Sequence, residues 1–377
     1  MFKVTFSFED GSMVETFANA GDNLLEVARS ANVAIDAPCS GNGACGKCRV
    51  QLKSGELESK KTLHISDEEY QAGWRLSCCS KISADVNVLV PDIASAYKSR
   101  MKVADLSSKE EIAIFENAKS DIQLAGIELK NSLEVVDVLM DVPSLDDTMP
   151  DNERLTRALR KYLNINRVRI PYVVLKKLPD VLRENNFAVK CVIRATSDDM
   201  YVYDIFGKDE DVVIGGLAID IGTTTVSAVL INMENGEILA KSSAGNGQIR
   251  FGADVINRIV ESQKPGGQKK LQDAVIKETI NPMIHEMCKS AKFPKDHIYR
   301  MCVASNTTMN HLFAGINADP LRTEPYIPAF FKTNSLFASD VGVDINKDAH
   351  IIMAPNIGSY VGGDITAGTL VSQIWNR

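Results

Sequence analysis

Cys39-Ser-Gly-Asn-Gly-Ala-Cys45-Gly-Lys-Cys48 is the stretch on which the reading of the N-terminal part turns. Its spacing is Cys-x5-Cys-x2-Cys, and a further thiol follows after 29 residues, at Cys78 in Trp74-Arg-Leu-Ser-Cys78. Five of the eight cysteines fall between residues 39 and 79. In a reducing compartment such clustering reads as metal or cluster ligation, not as a disulfide framework. Three thiolates from one loop need a backbone that wraps a compact core closely. The glycines permit this, because Gly admits φ > 0 and brings N–H groups toward the sulfurs. A 2Fe–2S cluster needs four thiolates so arranged. Zinc also takes four cysteines, but the wide last spacing and the Gly-rich loop favour the cluster. Cys78 and Cys79 compete for the fourth position.

Outward from the loop, residues 3–8 and 12–17 alternate like strands around a Glu9-Asp10-Gly11 turn, which predicts a hairpin. Residues 23–31 place Leu24, Leu25, Val27 and Ala28 at helical spacing after a Gly21-Asp22 cap. Residues 48–52 and 86–90 read as further strands. A hairpin, one helix and a cysteine loop resemble the β-grasp fold. The Arg-Leu-x-Cys segment resembles that of 2Fe–2S ferredoxins, where it supplies the last ligand. The resemblance therefore implies Cys39, Cys45, Cys48 and Cys78 as cluster ligands. Cys79 would then point the other way, as neighbours on an extended chain do. Arg49 and Arg75 read as solvated surface charges.

The chain of 377 residues is long enough for two or three domains, with 45% hydrophobic and 24% charged residues. No apolar run reaches the roughly 18 residues of a membrane helix. The N-terminus alternates like a strand and lacks a signal-peptide core, which places the protein in the cytoplasm with no membrane partner. A net charge of −7 argues against nucleic acid as a partner. Cys191, Cys288 and Cys302 lie alone in apolar stretches and read as buried structural thiols.

The pattern divides the chain into residues 1–95, a charged and partly helical linker at 96–125, a small α+β unit at 126–210, and an α/β unit at 211–377. In the middle unit, 133–142 is apolar and β-branched. Asp151 caps one helix, Pro179 starts another, and 188–195 pairs with 200–206. No catalytic constellation stands out there; a docking or dimerisation module and a structural spacer both fit. In the last unit, strands at 226–231 and 237–241 flank Asn235-Gly236, a strong hairpin signal. Asp254 caps a helix, a long helix covers 269–290, and 298–304 is a buried strand.

The last unit opens with Leu217-Ala-Ile-Asp220-Ile-Gly222-Thr223-Thr224-Thr225. A carboxylate at a strand end organises Mg²⁺ and its waters, and a Gly-Thr-Thr turn offers N–H groups and hydroxyls to phosphate. This segment resembles the first phosphate motif of the ASKHA superfamily of acetate and sugar kinases, heat-shock ATPases and actin. Three later stretches fit one branch of it: Asn246-Gly-Gln248 with Gly252-Ala-Asp254-Val-Ile-Asn-Arg258, Asn306-Thr307-Thr308-Met309-Asn310-His311, and Gly358-Ser-Tyr-Val-Gly362-Gly363-Asp364. The resemblance implies Asp220, Gly222, Thr223, Thr224, Thr225, Asn306, Thr307, Gly362, Gly363 and Asp364 at a Mg-ATP site. Asn306 and Thr307 follow a buried strand, where α/β ligand sites lie. His311 reads as a core histidine.

Ferredoxin domain, linker, middle unit and ASKHA half, in that order, resemble the reductive activators of corrinoid proteins. The implied activity is ATP-dependent one-electron reduction of Co(II) to Co(I) in a corrinoid partner, supplied by an upstream electron donor. A ferredoxin-type carrier, whose ASKHA half only docks partners, is the alternative. A second phosphate loop and an adenosine motif, which a complete ASKHA domain carries, are not found before Arg377. The expectation is a chain that ends within that domain, in a helix without a C-cap, with apolar surface exposed and a homodimer as one way to cover it.

Overall fold

The computed structural model describes every residue except 9, 10, 12, 32, 34, 36, 38–40, 42, 44, 45, 92–108, 129–131, 164, 197, 253, 334 and 377. The N-terminal unit is a mixed sheet of β1 (Phe2–Phe8), β2 (Met13–Ala18), β3 (Arg49–Ser54), β5 (Trp74–Leu76) and β7 (Val86–Val90) in the order β2-β1-β7-β3-β5. A small ladder of β4 (Leu57–Ser59) and β6 (Ser80–Ile82) lies beside it. Alternation along β1 buries Val4 and Phe6 on one face, against Leu24 and Leu25 of α1 (Leu24–Ser30). The cap of α1 is Asn23, one residue later than expected. Its side chain accepts from Leu25 N and Glu26 N, while the Asp22 carboxylate takes Asn19 N instead. The expected hairpin forms, with Phe6 opposite Val14; part of its turn lies outside the described residues.

Helix α2 (Asp67–Gln71) closes the N-terminal unit with a capping box between Ser66 and Glu69. Helix α3 (Lys109–Leu124) occupies the expected linker. The middle sheet contains β8 (Leu133–Leu139), β9 (Arg167–Arg169), β10 (Ala188–Ala195) and β11 (Asp199–Gly207) in the order β8-β10-β11-β9. Helices α4 (Asp151–Leu163) and α5 (Tyr172–Glu184) cover one face through Leu155, Leu159, Val174 and Leu178. Two helix boundaries differ from the sequence reading. Asp151 is the first helical residue, and its carboxylate takes Arg183 Nη1 at 2.8 Å. Pro179 lies inside α5; the carbonyl its missing N–H would serve belongs to Leu175, 43% exposed and within reach of water.

The third unit has β12 (Gly215–Ile221), β13 (Thr225–Asn232), β14 (Ile238–Gly245), β15 (Ile298–Ser305) and β16 (His350–Met353), in the order β14-β13-β12-β15-β16. The first three are antiparallel neighbours, and β15 and β16 run parallel to β12, the sheet of an ASKHA half. One face packs on α6 (Val255–Ser262), α7 (Gly267–Val275), α8 (Asn281–Ala291) and α9 (Thr307–Ala314). The long helix expected over 269–290 forms as a continuous helical run from Gly267 to Ala291, with one π turn, Ile276–Ile280, inside it. Pro282 offers no N–H to that turn, and the Thr279 hydroxyl donates to Ala274 O.

A short helix α10 (Ala338–Val341) precedes β16. Helix α11 (Gly363–Ser372) lies on the other sheet face, and it ends on Gln373 at φ 52°, a left-handed C-cap the sequence reading did not expect. That face carries exposed apolar side chains as expected, among them Ile365, Val371 and Ile374. It also holds Cys302, which is solvent-exposed; Cys191 is buried and Cys288 half-buried. Strand alternation explains Cys302: its neighbours Met301 and Val303 face the core. The middle and third units meet through Tyr203, Phe206 and Tyr299, with Tyr299 Oη donating to Asp204 at 3.3 Å. Among the described residues no helix is long and apolar enough to cross a membrane.

Candidate functional site

The C-terminal thiol of the cysteine motif stands in a 3₁₀ turn, Ser77–Cys79, between β5 and β6. Packing of β3 against β5 brings Cys48 beside it: the two sulfurs of Cys48 and Cys78 are 3.1 Å apart. They share one hydrogen bond, which holds the Cys48 thiol down at about 6 and pushes Cys78 up. The turn is pinned on three sides. Ser77 N donates to Cys48 O at 2.8 Å, Lys60 N to Cys79 O at 3.1 Å, and Asn23 Nδ2 to Cys78 O at 2.8 Å. Asn23 therefore caps α1 and holds the 77–79 turn at once, a role no local signal in the sequence announces.

Cys79 does not point away. Because the segment is a 3₁₀ turn and not a strand, its sulfur is 3.6 Å from that of Cys78. Cys39 and Cys45 lie outside the described residues. The described glycines of their loop, Gly41, Gly43 and Gly46, all have positive φ, and a Cβ on Gly43 would come within 3.2 Å of Cys79 Sγ. A loop of left-handed glycines closed over a pair of thiols, one of them easily ionised, fits a four-thiolate 2Fe–2S cluster. Arg49 and Arg75 are not free surface charges. Arg49 pairs with Glu69 at 2.5 Å, and Arg75 lies over the Tyr70 ring and donates to Tyr70 O and Trp74 O. Both brace α2 against the sheet.

In the third unit the four separate sequence stretches form one network around the turn that joins β12 to β13. Asn246 donates from Nδ2 to Gly222 O and from its backbone N to Thr224 O, both at 2.8 Å. Arg258 Nη2 donates to Thr223 O at 2.5 Å. Asn306, the N-cap of α9, reaches Thr223 Oγ1 at 3.4 Å. Gly362 lies directly on Asn306: an added Cβ would be 2.4 Å from Asn306 Cα. Thr307 is fully buried and spends its hydroxyl on Gly358 O at 2.5 Å, which places it behind the wall of the site. Gly363 closes on Ala354, whose carbonyl would be 2.4 Å from an added Cβ. Thr225 begins β13, paired with Gly245.

The π turn also serves this site. Thr279 Oγ1 accepts from Gly247 N at 3.0 Å, so the helix irregularity holds the loop that holds the turn. Asp220, at the end of β12, is pushed up first by desolvation and then by the charge of Asp364. Among the described residues neither forms an ion pair. From Asp220 an apolar cavity of about 440 Å³ runs along the open sheet face under Ala367 of α11. A second cavity, about 540 Å³, lies at the junction of the middle and third units, where Lys177 is already paired with Asp204.

His311 is a core histidine, as read from the sequence. It is fully buried; Nε2 accepts from Ala329 N at 3.0 Å, so Nδ1 carries the proton and donates to Thr307 O at 2.7 Å. Its ring stacks on Phe330 at 4.5 Å. Burial pushes His311 below the ordinary histidine value. A histidine held neutral contributes stability above its unfolded pKa of about 6.5, and that contribution is lost as pH falls toward the folded value. The melting temperature should therefore fall more steeply below about pH 6.5 in wild type than in His311→Gln. His297 and His350, also pushed down by burial, act equally in both proteins. Parallel melting curves from pH 8 to 5 would sink this assignment.

Three family models match the chain: a 2Fe-2S iron-sulfur cluster binding domain at residues 7–83, the RACo linker region at 122–212, and the RACo middle region at 215–377. The corrinoid activation enzyme RamQ of Eubacterium limosum is 27% identical over 346 residues, covering 91% of this chain and 51% of that protein. A component of the Na(+)-translocating NADH-quinone reductase of Actinobacillus succinogenes is 35% identical over 91 residues, 24% of this chain and 22% of that one. Among solved structures, a reductive activator for a corrinoid, iron-sulfur protein superposes with a TM-score of 0.59 at 31% identity. The match covers 100% of this chain and 58% of that one. The chain thus spans about half the length of these two activators.

Proposed function

We propose that the chain, whose residues 122–212 and 215–377 match the RACo linker and middle regions, serves the reductive activation of a corrinoid protein. In this reading a corrinoid partner held as Co(II) accepts one electron and returns to Co(I). The observation that carries the reading is the presence, in one chain, of the thiol pair Cys48–Cys78 and the pinned turn at 222–224.

Cys39, Cys45, Cys48 and Cys78 would hold a 2Fe–2S cluster, which would supply one electron at a time, at roughly −400 mV for the plant type. The residues here fit their share of that work. Asn23, Ser77 and Lys60 fix the backbone of the 77–79 turn, so that its sulfurs are preorganised. The buried faces of Leu24, Leu25 and Leu76 keep water from the core side of the loop.

Reduction of Co(II) to Co(I) lies at a still more negative potential, so the transfer is uphill. A nucleotide helps only through different affinities for two conformations of the complex. Mg-ATP would be held at Thr223, Thr224, Asn306 and Gly362, with Asp220 and Asp364 toward the metal. The two units fold around separate cores.

The test mixes the cluster-loaded, reduced chain with a corrinoid protein poised as Co(II) and follows Co(I) by its visible absorption, with and without Mg-ATP. Co(I) should form, and faster with Mg-ATP. No Co(I) in either case rejects the reading. Equal rates in both cases leave the plain electron-carrier reading in its place.

A further inference from the structure

Arg258 is the least exposed cation of the third unit, at 0%, and it sits directly behind the turn of residues 222–224. Its guanidinium donates only to neutral groups: Gly252 O at 2.8 Å, Gln248 Oε1 at 3.2 Å, Met309 Sδ at 3.3 Å and Thr223 O at 2.5 Å. Among the described residues it forms no ion pair. The charge of the nearby Asp254 favours the guanidinium, but its carboxylate accepts from Asn257 N and Nδ2, each at 2.8 Å, and makes no direct pair with Arg258. Burying a cation without a directly bonded carboxylate is costly, and a replacement by an apolar residue of similar length would remove that cost. Arg258 remains charged near neutrality, although burial pushes it down to about 9.

The three carbonyls of the turn are all held from one side. Gly222 O and Thr224 O accept from Asn246, and Thr223 O from Arg258. In a trans peptide unit the C=O and the following N–H point in opposite directions. Holding Gly222 O and Thr223 O inward therefore turns the N–H groups of Thr223 and Thr224 away from Asn246 and Arg258. A charged donor on the C=O also polarises the same peptide unit and strengthens its N–H as a donor. Successive N–H groups turned one way make a concave anion site.

We infer that Arg258 is a positioning residue of a polyphosphate-binding turn at Thr223 and Thr224. Arg258 does not touch the ligand; the charge acts through the Thr223–Thr224 peptide and across a low-dielectric interior. The acids Asp220 and Asp364 on the open side call for a divalent cation on the same ligand, so the class is a magnesium polyphosphate. This inference rests on the nucleotide part of the function proposed above and assigns a residue that part does not name.

The test titrates Mg-ATP, and separately Mg-tripolyphosphate, into the cluster-loaded chain by calorimetry, for wild type, Arg258→Met and Arg258→Lys. Wild type should bind both. Arg258→Met should lose at least about tenfold in affinity, about 1.4 kcal/mol, by the same factor for both ligands. Arg258→Lys should recover part of that loss, because it restores the charge without the fork. The visible spectrum of the cluster should not change. Wild type binding neither ligand would remove the nucleotide reading itself. Wild-type affinity in a folded Arg258→Met would overturn the role of Arg258 and leave the nucleotide reading intact. If Arg258→Met does not melt cooperatively, Arg258→Lys decides: unchanged affinity for tripolyphosphate supports the charge, and loss as complete as an unfolded site overturns it.

Discussion

Cys78→Ser is expected to abolish the visible absorption of the reconstituted chain, and Cys79→Ser to leave it at the wild-type level. The two thiols lie in the same 3₁₀ turn with their sulfurs 3.6 Å apart, so sequence adjacency does not separate their roles. Cys48 does: its sulfur is 3.1 Å from Cys78, and both belong to segments pinned by backbone hydrogen bonds. Serine keeps the volume but gives a hard, weakly acidic oxygen where a thiolate is needed. Cys79 Sγ lies beside Gly43 of the loop, 3.2 Å from where a Cβ on that glycine would be. Anaerobic reconstitution followed by absorption spectroscopy and iron analysis reads the result. Full intensity in Cys78→Ser, or its loss in Cys79→Ser, would exchange the two assignments.

Gly362→Ala should have the second large effect, and it should fall on the third unit alone. The backbone at Gly362 is extended, at φ −107° and ψ −166°, so alanine meets no conformational strain there. The cost is contact: its Cβ would lie 2.4 Å from Asn306 Cα and 2.5 Å from both Asn306 C and Ser305 O. All three are backbone atoms at the end of β15, which cannot swing aside as a side-chain tip does. The segment from Gly358 to Asp364 must therefore lift, breaking the Thr307 bonds to Gly358 O and Val361 O and moving Asp364 away from Asp220. Overpacking of this kind costs about 1–3 kcal/mol. Mg-ATP affinity should fall by at least about tenfold, or about 1.4 kcal/mol. Gly368→Ala, inside α11 where an added Cβ meets nothing within 4 Å, should raise stability by about 0.5–1 kcal/mol, the gain of Ala over Gly inside a helix, and leave Mg-ATP affinity unchanged. Melting curves and calorimetric titration of both variants check this. Wild-type affinity in Gly362→Ala would mean that the close packing at Asn306 does not shape the site.

Local rules carried much of the fold. The Asn235-Gly236 hairpin, the Asp254 cap and the alternation of β1 are each decided by residues within one or two turns of one another, and each forms as read. Cys48 and Cys78, paired in the sequence reading, have their sulfurs 3.1 Å apart, and the motif stretches of the third unit converge on the 222–224 turn. Where a local rule met a distant partner, it failed. Pro179 reads as a helix start, yet the helix begins seven residues earlier because Val174, Leu178 and Leu182 bury one continuous stripe. The expected long helix forms, but no local rule announced its π turn, where Thr279 accepts from Gly247, 32 residues away.

By itself the sequence determined the chemical inventory: thiols at cluster spacing, a carboxylate before a Gly-Thr-Thr turn, and strands and helices in the order of a ferredoxin domain followed by an ASKHA half. Only the tertiary structure decided which way those groups face. It turned Cys79 toward the cluster loop, spent Arg49 and Arg75 on Glu69 and Tyr70, and set a buried Arg258 behind Thr223. Residue type and spacing are properties of the chain. The direction of a side chain or of a peptide N–H follows from the hydrogen bonds and contacts made to residues far along it, and those exist only once the sheets have closed on their helices.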